Sequence, residues 1–306
     1  MGINIVGIVG AGQMGRGIAQ VVSSAGLHTL LHDLDYKVLE EASNKIGQRL
    51  DHAVQQGKLT EWVKEKTLKN IKISTRPEDL SVCDLLIESV PEKEEFKIEV
   101  FEMFDEICED ETIFASNTSS LSITRLASVT ERPDRFIGIH FLNPATTTKV
   151  VEIIRGIPTS DATFQKSKDF VERLGKKVVL SKDSPGFIVN RILLPMINEA
   201  IFAVMEGVGT AEQIDTIFSS GCGHPMGPLA LADLIGLDVC LDVMEILYTE
   251  FCDSKYRPAP LLRKYVEAGF FGRKTGQGFY TYKKESQTFE HEIVQGPLPL
   301  FKKPRG

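Results

Sequence analysis

The sequence predicts an α/β protein in which a doubly wound, mostly parallel sheet precedes an all-helical domain. Short apolar runs alternate with amphipathic stretches as far as Leu180, a pattern typical of alternating strands and helices. After Leu180 the strand patterns end and longer stretches with helical periodicity follow. A chain of 306 residues suggests about two domains. We therefore predict a Rossmann-type domain over residues 1–182, a helical substrate and dimerisation domain over 183–284, and a tail over 285–306.

The first elements are a strand, a glycine-rich turn, a helix and a second strand. Residues 3–9 form a short run rich in Ile and Val, and the sequence GAGQMG follows at 10–15. A helical stretch covers 16–25, and the strand predicted at 27–32 ends at Asp33. This order, with an acidic residue at the end of the second strand, predicts a dinucleotide-binding unit.

The glycines of this turn each have a physical role in dinucleotide binding. Gly10 permits the tight turn, Gly12 lets a pyrophosphate approach the backbone, and Gly15 lets the helix pack against the strand. The start of the helix offers free N–H groups and the positive end of its dipole to the phosphates. The residues of the turn expected to contact the cofactor are Gly10, Gly12, Gln13, Met14 and Gly15.

Asp33 indicates which dinucleotide binds. Its carboxylate is placed to accept hydrogen bonds from the ribose hydroxyls, and its charge repels a 2′-phosphate. NAD is therefore favoured. FAD, which uses a similar turn, and NADP, if a nearby cation compensates, stay open at this point.

The alternation of elements continues to residue 180. We predict helices at 35–56, 60–69, 92–107 and 164–174, and strands at 72–74, 84–89, 112–115, 135–139, 150–154 and 177–180. Ligands of such sheets bind beyond the carboxyl ends of the strands. Polar residues follow three of these strands, at 88–92, 116–120 and 140–144. We expect the three segments to converge near the cofactor.

The second half of the sequence predicts a series of helices. Ser184-Pro185-Gly186 ends the alternation of strands and helices. We predict four helices after it, at 187–206, 210–218, 228–251 and 259–268. Pro195 should kink the first, Thr210 and Gln213 form a capping box at the start of the second, and Gly236 should interrupt the third. A helical domain appended to a Rossmann-type domain suggests a substrate cleft between the two, and often a dimer. A self-contained helical core is the alternative.

Composition narrows the class of protein. The net charge of -7 argues against a nucleic-acid partner. The five cysteines are odd in number and contain no C-x-x-C pair, which favours free thiols in a reducing compartment. No apolar run reaches the roughly 18 residues that span a membrane, and the first residues lack the basic region of a signal peptide. We expect a cytoplasmic protein that does not bind membranes.

His140 and Glu152 are the main candidates for chemistry. His140 ends a predicted strand on the ligand side, and imidazole suits reversible proton transfer at neutral pH. Glu152 lies in the next strand, where a carboxylate can orient the imidazole and stabilise its protonated form. A histidine bonded to the backbone and a surface glutamate are the structural alternatives. His224 ranks second, and the sequence has no histidine pattern typical of a metal site.

Ser119 and Asn190 are weaker candidates. Ser119 follows a strand, where it can donate to a substrate oxygen or cap the next segment. Asn190 lies in an apolar helix and needs a partner there, either a ligand or a backbone carbonyl.

Six segments together resemble the short-chain L-3-hydroxyacyl-CoA dehydrogenases. They run in order from the glycine turn to residue 282, and the last is similar to bacterial 3-hydroxybutyryl-CoA dehydrogenases. The segments are GAGQMG at 10–15, SNTSS at 116–120, GIHFLNP at 138–144, DSPGFIVNR at 183–191, PMGP at 225–228 and GRKTGQGFY at 272–280.

The resemblance implies roles for individual residues. His140 would be the general acid and base with Glu152 as its partner, and Ser119 and Asn190 would hold the reacting oxygen of an acyl-CoA substrate. It also implies a homodimer and cofactor contacts with NAD. The residues implied to contact the cofactor, together with the glycine turn, are Asp33, Glu92, Lys97, Asn117, Ser119 and Asn143.

One segment departs from the family pattern. Residues 145–148 read Ala-Thr-Thr-Thr, where an apolar segment with Pro and Met is usual. This departure leaves the acyl chain length open. It also keeps two other hypotheses: a relative that acts on a non-CoA hydroxy acid, and a non-catalytic NAD-binding protein.

Overall fold

The computed structural model describes residues 2–282 and 293–295. The chain divides into two compact units, Met1–Phe187 (unit 1) and Ile188–Gly306 (unit 2). The boundary predicted between residues 182 and 183 lies just before this division. The tail predicted over 285–306 lies outside the described residues, except for 293–295.

An eight-stranded sheet forms the centre of unit 1, in the order β3-β2-β1-β4-β5-β6-β7-β8. Neighbouring strands run parallel, except that β6 and β7 are antiparallel. The predicted α/β fold class is thus confirmed. The strands are β1 (Ile5–Val9), β2 (His28–His32), β3 (Ile71–Ser74), β4 (Leu85–Glu88), β5 (Ile113–Ser116), β6 (Phe136–Phe141), β7 (Val150–Arg155) and β8 (Lys177–Lys182).

Apolar side chains cover both faces of this sheet. One cluster packs Ile8, Ile18 and Leu31 against the helices of one face, and the other packs aromatic rings such as Phe101 and Phe136 on the opposite face. The chain steps outwards from β1 to β3 and then returns to β4 beside β1. Such a reversal opens a crevice at the carboxyl ends of the two central strands, where ligands of this fold bind.

The helices of unit 1 agree with the predicted pattern, with three differences. The helix predicted at 164–174 begins three residues earlier, at Asp161, after Ser160, whose hydroxyl accepts from the Thr163 N–H as the N-cap. The first helix begins three residues earlier than predicted, because the turn is complete at Gly12 and residues 13–15 form the first helical turn. A five-residue helix after β5 was not predicted, because it is too short to show a helical period. The helices are α1 (Gln13–Ser24), α2 (Tyr36–Gln55), α3 (Glu61–Lys69), α4 (Glu94–Ile107), α5 (Ile123–Ala127) and α6 (Asp161–Arg173).

Unit 2 is mainly helical, as predicted. The Thr210–Gln213 capping box is present, and Gly236 interrupts the long helical stretch with φ 109°. The helices are α7 (Val189–Met205), α8 (Ala211–Thr216), α9 (Pro228–Ile235), α10 (Leu237–Phe251) and α11 (Pro260–Glu267). One feature was not predicted: two short antiparallel strands, β9 (Thr281–Tyr282) and β10 (Ile293–Gln295).

Phe187 corrects the predicted start of the first helix of unit 2. It has φ 49°, so it cannot continue a right-handed helix, and it belongs to unit 1. The helix α7 begins two residues later, at Val189. Its interior contains Pro195, as predicted.

A buried carboxylate in α9, that of Asp233, binds the segment 279–282 of unit 2. Asp233 accepts hydrogen bonds from the backbone N–H groups of Phe279 (2.9 Å) and Tyr280 (3.0 Å) and from the Tyr282 hydroxyl (2.9 Å). A Cβ atom on Gly278 would lie 2.0 Å from the Asp233 carboxylate oxygen Oδ1. Gly278 of the GRKTGQGFY segment is therefore required by packing within unit 2 and needs no role in catalysis.

Asp215 likewise binds the backbone just after the PMGP segment, at the start of α9. Its carboxylate accepts from the N–H groups of Leu229 and Ala230, both at 2.8 Å, and from the Tyr280 hydroxyl at 2.9 Å. A Cβ atom on Gly227 would lie 2.3 Å from Asp215 Cβ. This segment, too, is explained by packing at the start of α9.

All five cysteines are free thiols. None of the helices in the described part of the chain combines the length and apolar character needed to cross a bilayer.

Candidate active site

The glycine turn separates structural from functional glycines. A Cβ atom on Gly10 would lie 2.6 Å from the Ser89 carbonyl oxygen, and one on Gly15 would lie 1.8 Å from the Gly10 carbonyl oxygen. The fold itself therefore excludes side chains at these positions. A Cβ atom on Gly12 would meet no atom within 4 Å in the described structure. The described structure therefore leaves space beside Gly12 in which a ligand could approach the backbone.

The start of α1 fits the phosphates of a dinucleotide. Gly12 is its N-cap, and the first turn carries no acidic residue. The first N–H groups and the positive end of the helix dipole are thus available to an anion. Gln13 belongs to this turn, and its side-chain amide donates to the Asn143 Oδ1 at 3.2 Å. Asn143, one of the residues implied to contact the cofactor, is therefore held beside the glycine turn.

Asp33 lies at the end of β2, beside the glycine turn. Its Oδ2 accepts from the Ala11 N–H at 2.9 Å, and its Oδ1 accepts from the Asp35 N–H at 3.2 Å. These bonds fix the carboxylate and leave acceptor capacity for the hydroxyls of a ribose. The charge so placed disfavours a 2′-phosphate, in agreement with the preference for NAD inferred above.

A buried cluster of charges lies beyond the end of β4. The Lys97 ammonium is 2.7 Å from Glu88 Oε1 and 3.2 Å from Glu92 Oε2, and it donates to the Val90 carbonyl at 3.3 Å. The side chains of Lys97 and Glu88 are 1% and 0% exposed. Burial favours a neutral lysine, but the two carboxylates outweigh it and raise the Lys97 pKa. Lys97 is therefore a buried cation held between the carboxyl groups of Glu88 and Glu92. Burial raises the Glu88 pKa more than the Lys97 charge and the Ser116 hydrogen bond lower it.

Glu92 joins this cluster to the turn that carries Ser119. Its Oε1 accepts from the hydroxyls of Thr118 (2.6 Å), Ser120 (2.9 Å) and Ser119 (3.1 Å) and from the Ser119 N–H (2.8 Å). Burial favours the protonated acid, but the charge of Lys97 and these hydrogen bonds outweigh it, so the Glu92 pKa lies below its usual value. The turn at 118–120 is thus built around an ionised carboxylate.

Asn117 connects this turn to the neighbouring strands. Its N–H donates to the Glu88 carbonyl, and its Oδ1 accepts from the Phe141 N–H, both at 2.9 Å. The carboxyl ends of β4, β5 and β6 are adjacent and parallel. The three polar segments predicted to converge, 88–92, 116–120 and 140–144, therefore do lie at one edge of the sheet.

His140 and Glu152 form a buried pair on β6 and β7. The antiparallel register places them directly opposite each other, and His140 Nδ1 is 2.8 Å from Glu152 Oε2. Their side chains are 7% and 4% exposed, and the Phe187 ring packs 5.8 Å from the imidazole, centroid to centroid. A carboxylate on Nδ1 fixes the orientation of the ring and leaves Nε2 as the nitrogen for proton exchange.

The threonine segment forms a local turn between β6 and β7. The Thr148 hydroxyl donates to the Pro144 carbonyl at 3.0 Å, and the Thr147 hydroxyl approaches the same oxygen at 3.5 Å. The Lys176 ammonium donates to the carbonyls of Ala145 (2.7 Å) and Thr148 (2.6 Å). Two of the three threonine hydroxyls are therefore directed back into the turn, which reduces the polarity that the sequence suggested for this segment.

Sequence reasoning missed several residues of this region. Glu88 and Ser116 were noted only as members of polar strand ends, and Phe187 was assigned to a helix. Their contacts depend on how strands, turns and helices pack together, so no periodic pattern in the sequence indicates them. Asn190 lies in the first turn of α7, in unit 2.

Among the described residues, no group of three or more His, Cys, Asp or Glu side chains is suited to hold a metal ion.

Comparison with known proteins agrees with these features. Residues 5–184 match the family model of the 3-hydroxyacyl-CoA dehydrogenase NAD-binding domain, and residues 186–282 match that of the C-terminal domain. A 3-hydroxybutyryl-CoA dehydrogenase of Bradyrhizobium diazoefficiens is 53% identical over 92% of this chain and 96% of its own length. A probable 3-hydroxybutyryl-CoA dehydrogenase of Bacillus subtilis is 47% identical, over 94% of this chain and 100% of its own.

A solved structure shows the same similarity in three dimensions. The crystal structure of (S)-3-hydroxybutyryl-CoA dehydrogenase from Ralstonia eutropha has a TM-score of 0.88 and 49% identity to this chain. The match covers 92% of this chain and 100% of that one.

Proposed function

The chain belongs to the 3-hydroxyacyl-CoA dehydrogenase family of NAD-dependent oxidoreductases, and from that premise we propose that it interconverts short-chain 3-hydroxyacyl-CoA and 3-ketoacyl-CoA. The pair 3-hydroxybutyryl-CoA and acetoacetyl-CoA is the expected substrate and product. The observation that carries the mechanism is the buried His140–Glu152 pair, placed at the same sheet edge as the polar strand ends.

In this proposal His140 moves the proton. When bound, NAD supplies the hydride acceptor, and NADH the donor, for C3 of the substrate. His140 Nε2 takes the proton of the C3 hydroxyl during oxidation and returns it to the oxygen during reduction. Glu152, bonded to Nδ1, fixes the ring and stabilises the imidazolium that forms.

Ser119 and Asn190 are proposed to hold the reacting oxygen. Glu92 Oε1 has four donors within 3.1 Å, more than the roughly two lone pairs of one oxygen satisfy. The Ser119 hydroxyl makes the longest of these contacts, so it is the donor that can turn to a substrate oxygen at least cost. The role of Asn190 in unit 2 is carried over from the family.

The residues proposed to hold NAD follow from the same geometry. The start of α1 would bind the pyrophosphate, and Asp33 the ribose hydroxyls. The contacts carried over from the family involve Gln13, Met14, Glu92, Lys97, Asn117, Ser119 and Asn143.

Two other functions are less well supported. A non-CoA hydroxy acid was favoured by the polar threonine segment, but two of its hydroxyls face the Pro144 carbonyl within their own turn. A non-catalytic NAD-binding protein would not need a buried histidine bonded to a carboxylate. Both of these residues are in place.

The test is the initial rate of NADH oxidation with acetoacetyl-CoA, compared with free acetoacetate and with a longer 3-ketoacyl-CoA. We expect rapid turnover of acetoacetyl-CoA and much slower turnover of free acetoacetate, with NADH preferred to NADPH because of Asp33. If NADH binds and no CoA ester is reduced, the substrate assignment is wrong and non-CoA hydroxy acids become the leading class.

We further propose a cytoplasmic homodimer that assembles through unit 2. A groove of about 960 Å³ in this unit is lined mainly by apolar residues, among them Met196, Ala203 and Ile214. Val208 and Ile217 line it too, although they are 77% and 63% exposed. Exposed apolar patches of this kind mark interaction sites, and a second copy is the expected occupant. The five free cysteines support a reducing compartment.

A further inference from the structure

We propose that Glu88 is a positioning residue for the reaction: it holds Lys97 and Ser116, and through them Glu92 and the turn that presents Ser119. This inference rests on the proposed function, because it concerns how the Ser119 hydroxyl is placed.

The contacts form a continuous path from β4 to Ser119. Glu88 Oε1 accepts from the Lys97 ammonium and from the Val90 N–H, both at 2.7 Å, and its Oε2 accepts from the Ser116 hydroxyl at 2.6 Å. The Ser116 oxygen in turn accepts from the Thr118 N–H at 3.1 Å. Glu88 thus reaches the 118–120 turn by two routes, one through Lys97 and Glu92 and one through Ser116.

The balance of charge explains why a carboxylate is needed at position 88. Glu92 is shared between the turn, through Oε1, and the Lys97 ammonium, through Oε2. With Glu88 present, the ammonium lies 0.5 Å closer to Glu88 (2.7 Å) than to Glu92 (3.2 Å). Without a carboxyl group at position 88, Glu92 would be the remaining acidic partner of the buried Lys97 ammonium. Glu92 should then be drawn towards Lys97 and away from the turn.

The cost to catalysis would come from misplacement of Ser119. The Ser119 N–H and hydroxyl both bond to Glu92 Oε1, so a shift of this oxygen moves the group proposed to hold the substrate oxygen. Misplacement of a catalytic group by about 1 Å can cost on the order of 100-fold in rate. Binding of NADH at the glycine turn and Asp33 should change much less.

The test combines Glu88→Gln with amide hydrogen exchange and kinetics on the full chain. We expect faster exchange for residues 118–121 and a fall in kcat of roughly tenfold or more. In a Ser119→Ala background the same substitution should have little further effect on kcat, because its action passes through Ser119. If Glu88 only stabilised the fold, the losses in kcat caused by the two substitutions would multiply in the double variant.

The matched control is Asp105→Asn. Asp105 forms an ion pair with Arg132 in the same unit, at 2.6 Å and with side chains 9% and 8% exposed, but it has no contact with the 118–120 turn among those described. The Asp105→Asn variant should keep both the exchange rate at 118–121 and kcat close to those of wild type. If Glu88→Gln does not fold, Ser116→Ala tests the second route with a smaller change. We expect Ser116→Ala to speed exchange at 118–121 and to lower kcat in the same way, but by smaller amounts than Glu88→Gln.

The two readouts separate this inference from the proposed function. Exchange needs no substrate, so unchanged exchange at 118–121 in the folded variant rejects the role of Glu88. Losses in kcat that multiply with Ser119→Ala reject it too. A wild-type chain that leaves acetoacetyl-CoA unreacted rejects the proposed function instead.

Discussion

At the scale of single residues, the site depends on contacts between side chains that are near in space and distant in sequence. His140 meets Glu152 because the antiparallel register of β6 and β7 makes them direct cross-strand partners. Lys97 reaches Glu88 from the following helix. In both cases a buried charged or polar group has a partner, as the cost of an unpaired charge in the interior requires.

The first prediction concerns His140. Replacing it with alanine removes the group proposed to transfer the proton, so kcat for acetoacetyl-CoA should fall by about 10²- to 10⁴-fold. The affinity for NADH, measured by fluorescence titration, should stay near wild type, because the glycine turn and Asp33 are unchanged. His28→Ala is the control, since His28 is an exposed residue on β2 of the same unit. Ordinary turnover by His140→Ala would remove His140 from the mechanism.

At the scale of elements, unit 2 depends on two buried aspartates. Asp233 binds the segment 279–282, and Asp215 binds the start of α9 and Tyr280. Burial raises the Asp233 pKa to about 6, more than its hydrogen bonds lower it, and burial likewise raises the pKa of Asp215. The folded unit therefore holds these carboxyl groups partly protonated at a pH where the unfolded chain has released the protons.

The second prediction follows from these shifts. Because these two carboxyl groups bind more protons in the folded state than in the unfolded state between about pH 4 and pH 6, their contribution to stability should fall as the pH rises through this range and then level off. For Asp233 the total is about 3 kcal/mol. Calorimetry at pH 4.5, 5.5 and 7 should show the slope in wild type and a smaller slope in Asp233→Asn, where Asp215 and Glu88, whose pKa values burial also raises, keep their contributions.

Asp253→Asn is the control for this experiment. Hydrogen bonds from the Lys255 N–H and ammonium lower the pKa of the Asp253 carboxyl, so its titration lies below the range tested. This variant should keep the wild-type slope. An equal slope in wild type and Asp233→Asn would show that Asp233 is already ionised in the folded chain at pH 5.

At the scale of the whole molecule, the apolar groove of unit 2 bears on assembly. The exposed apolar residues of the unit 2 groove are the surface expected to be covered by a second copy. Charged residues are depleted at the cores of such interfaces, because desolvating an unpaired charge is costly. A glutamate placed in the groove should therefore prevent association while the chain itself still folds.

The third prediction tests this surface. Light scattering after size exclusion should give twice the chain mass of 34.0 kDa for wild type and about one chain mass for Val208→Glu/Ile217→Glu. Ile157→Glu is the control, because Ile157 is 90% exposed and lies in unit 1. A double variant with the wild-type mass would place the interface elsewhere. A wild-type chain that is monomeric at micromolar concentration would reject the dimer.

The sequence by itself determined the fold class and the cofactor unit. Alternating apolar runs indicate strands buried on both faces, and the glycine turn with Asp33 places phosphate and ribose contacts within about 25 residues of each other. These are local properties, so periodicity and spacing reveal them. The same holds for the Thr210–Gln213 capping box and the interruption at Gly236.

Only the tertiary structure decided which side chains act together. The direct opposition of His140 and Glu152 depends on a register that shifts every side chain to the other face if it slips by one residue. The Glu88–Lys97–Glu92 cluster depends on the packing of α4 beside β4, and the start of α5 on the Asp183 carboxylate 60 residues away. These contacts depend on how one element packs against another, whether the residues are 9 or 60 positions apart, and no periodic pattern of residues records them.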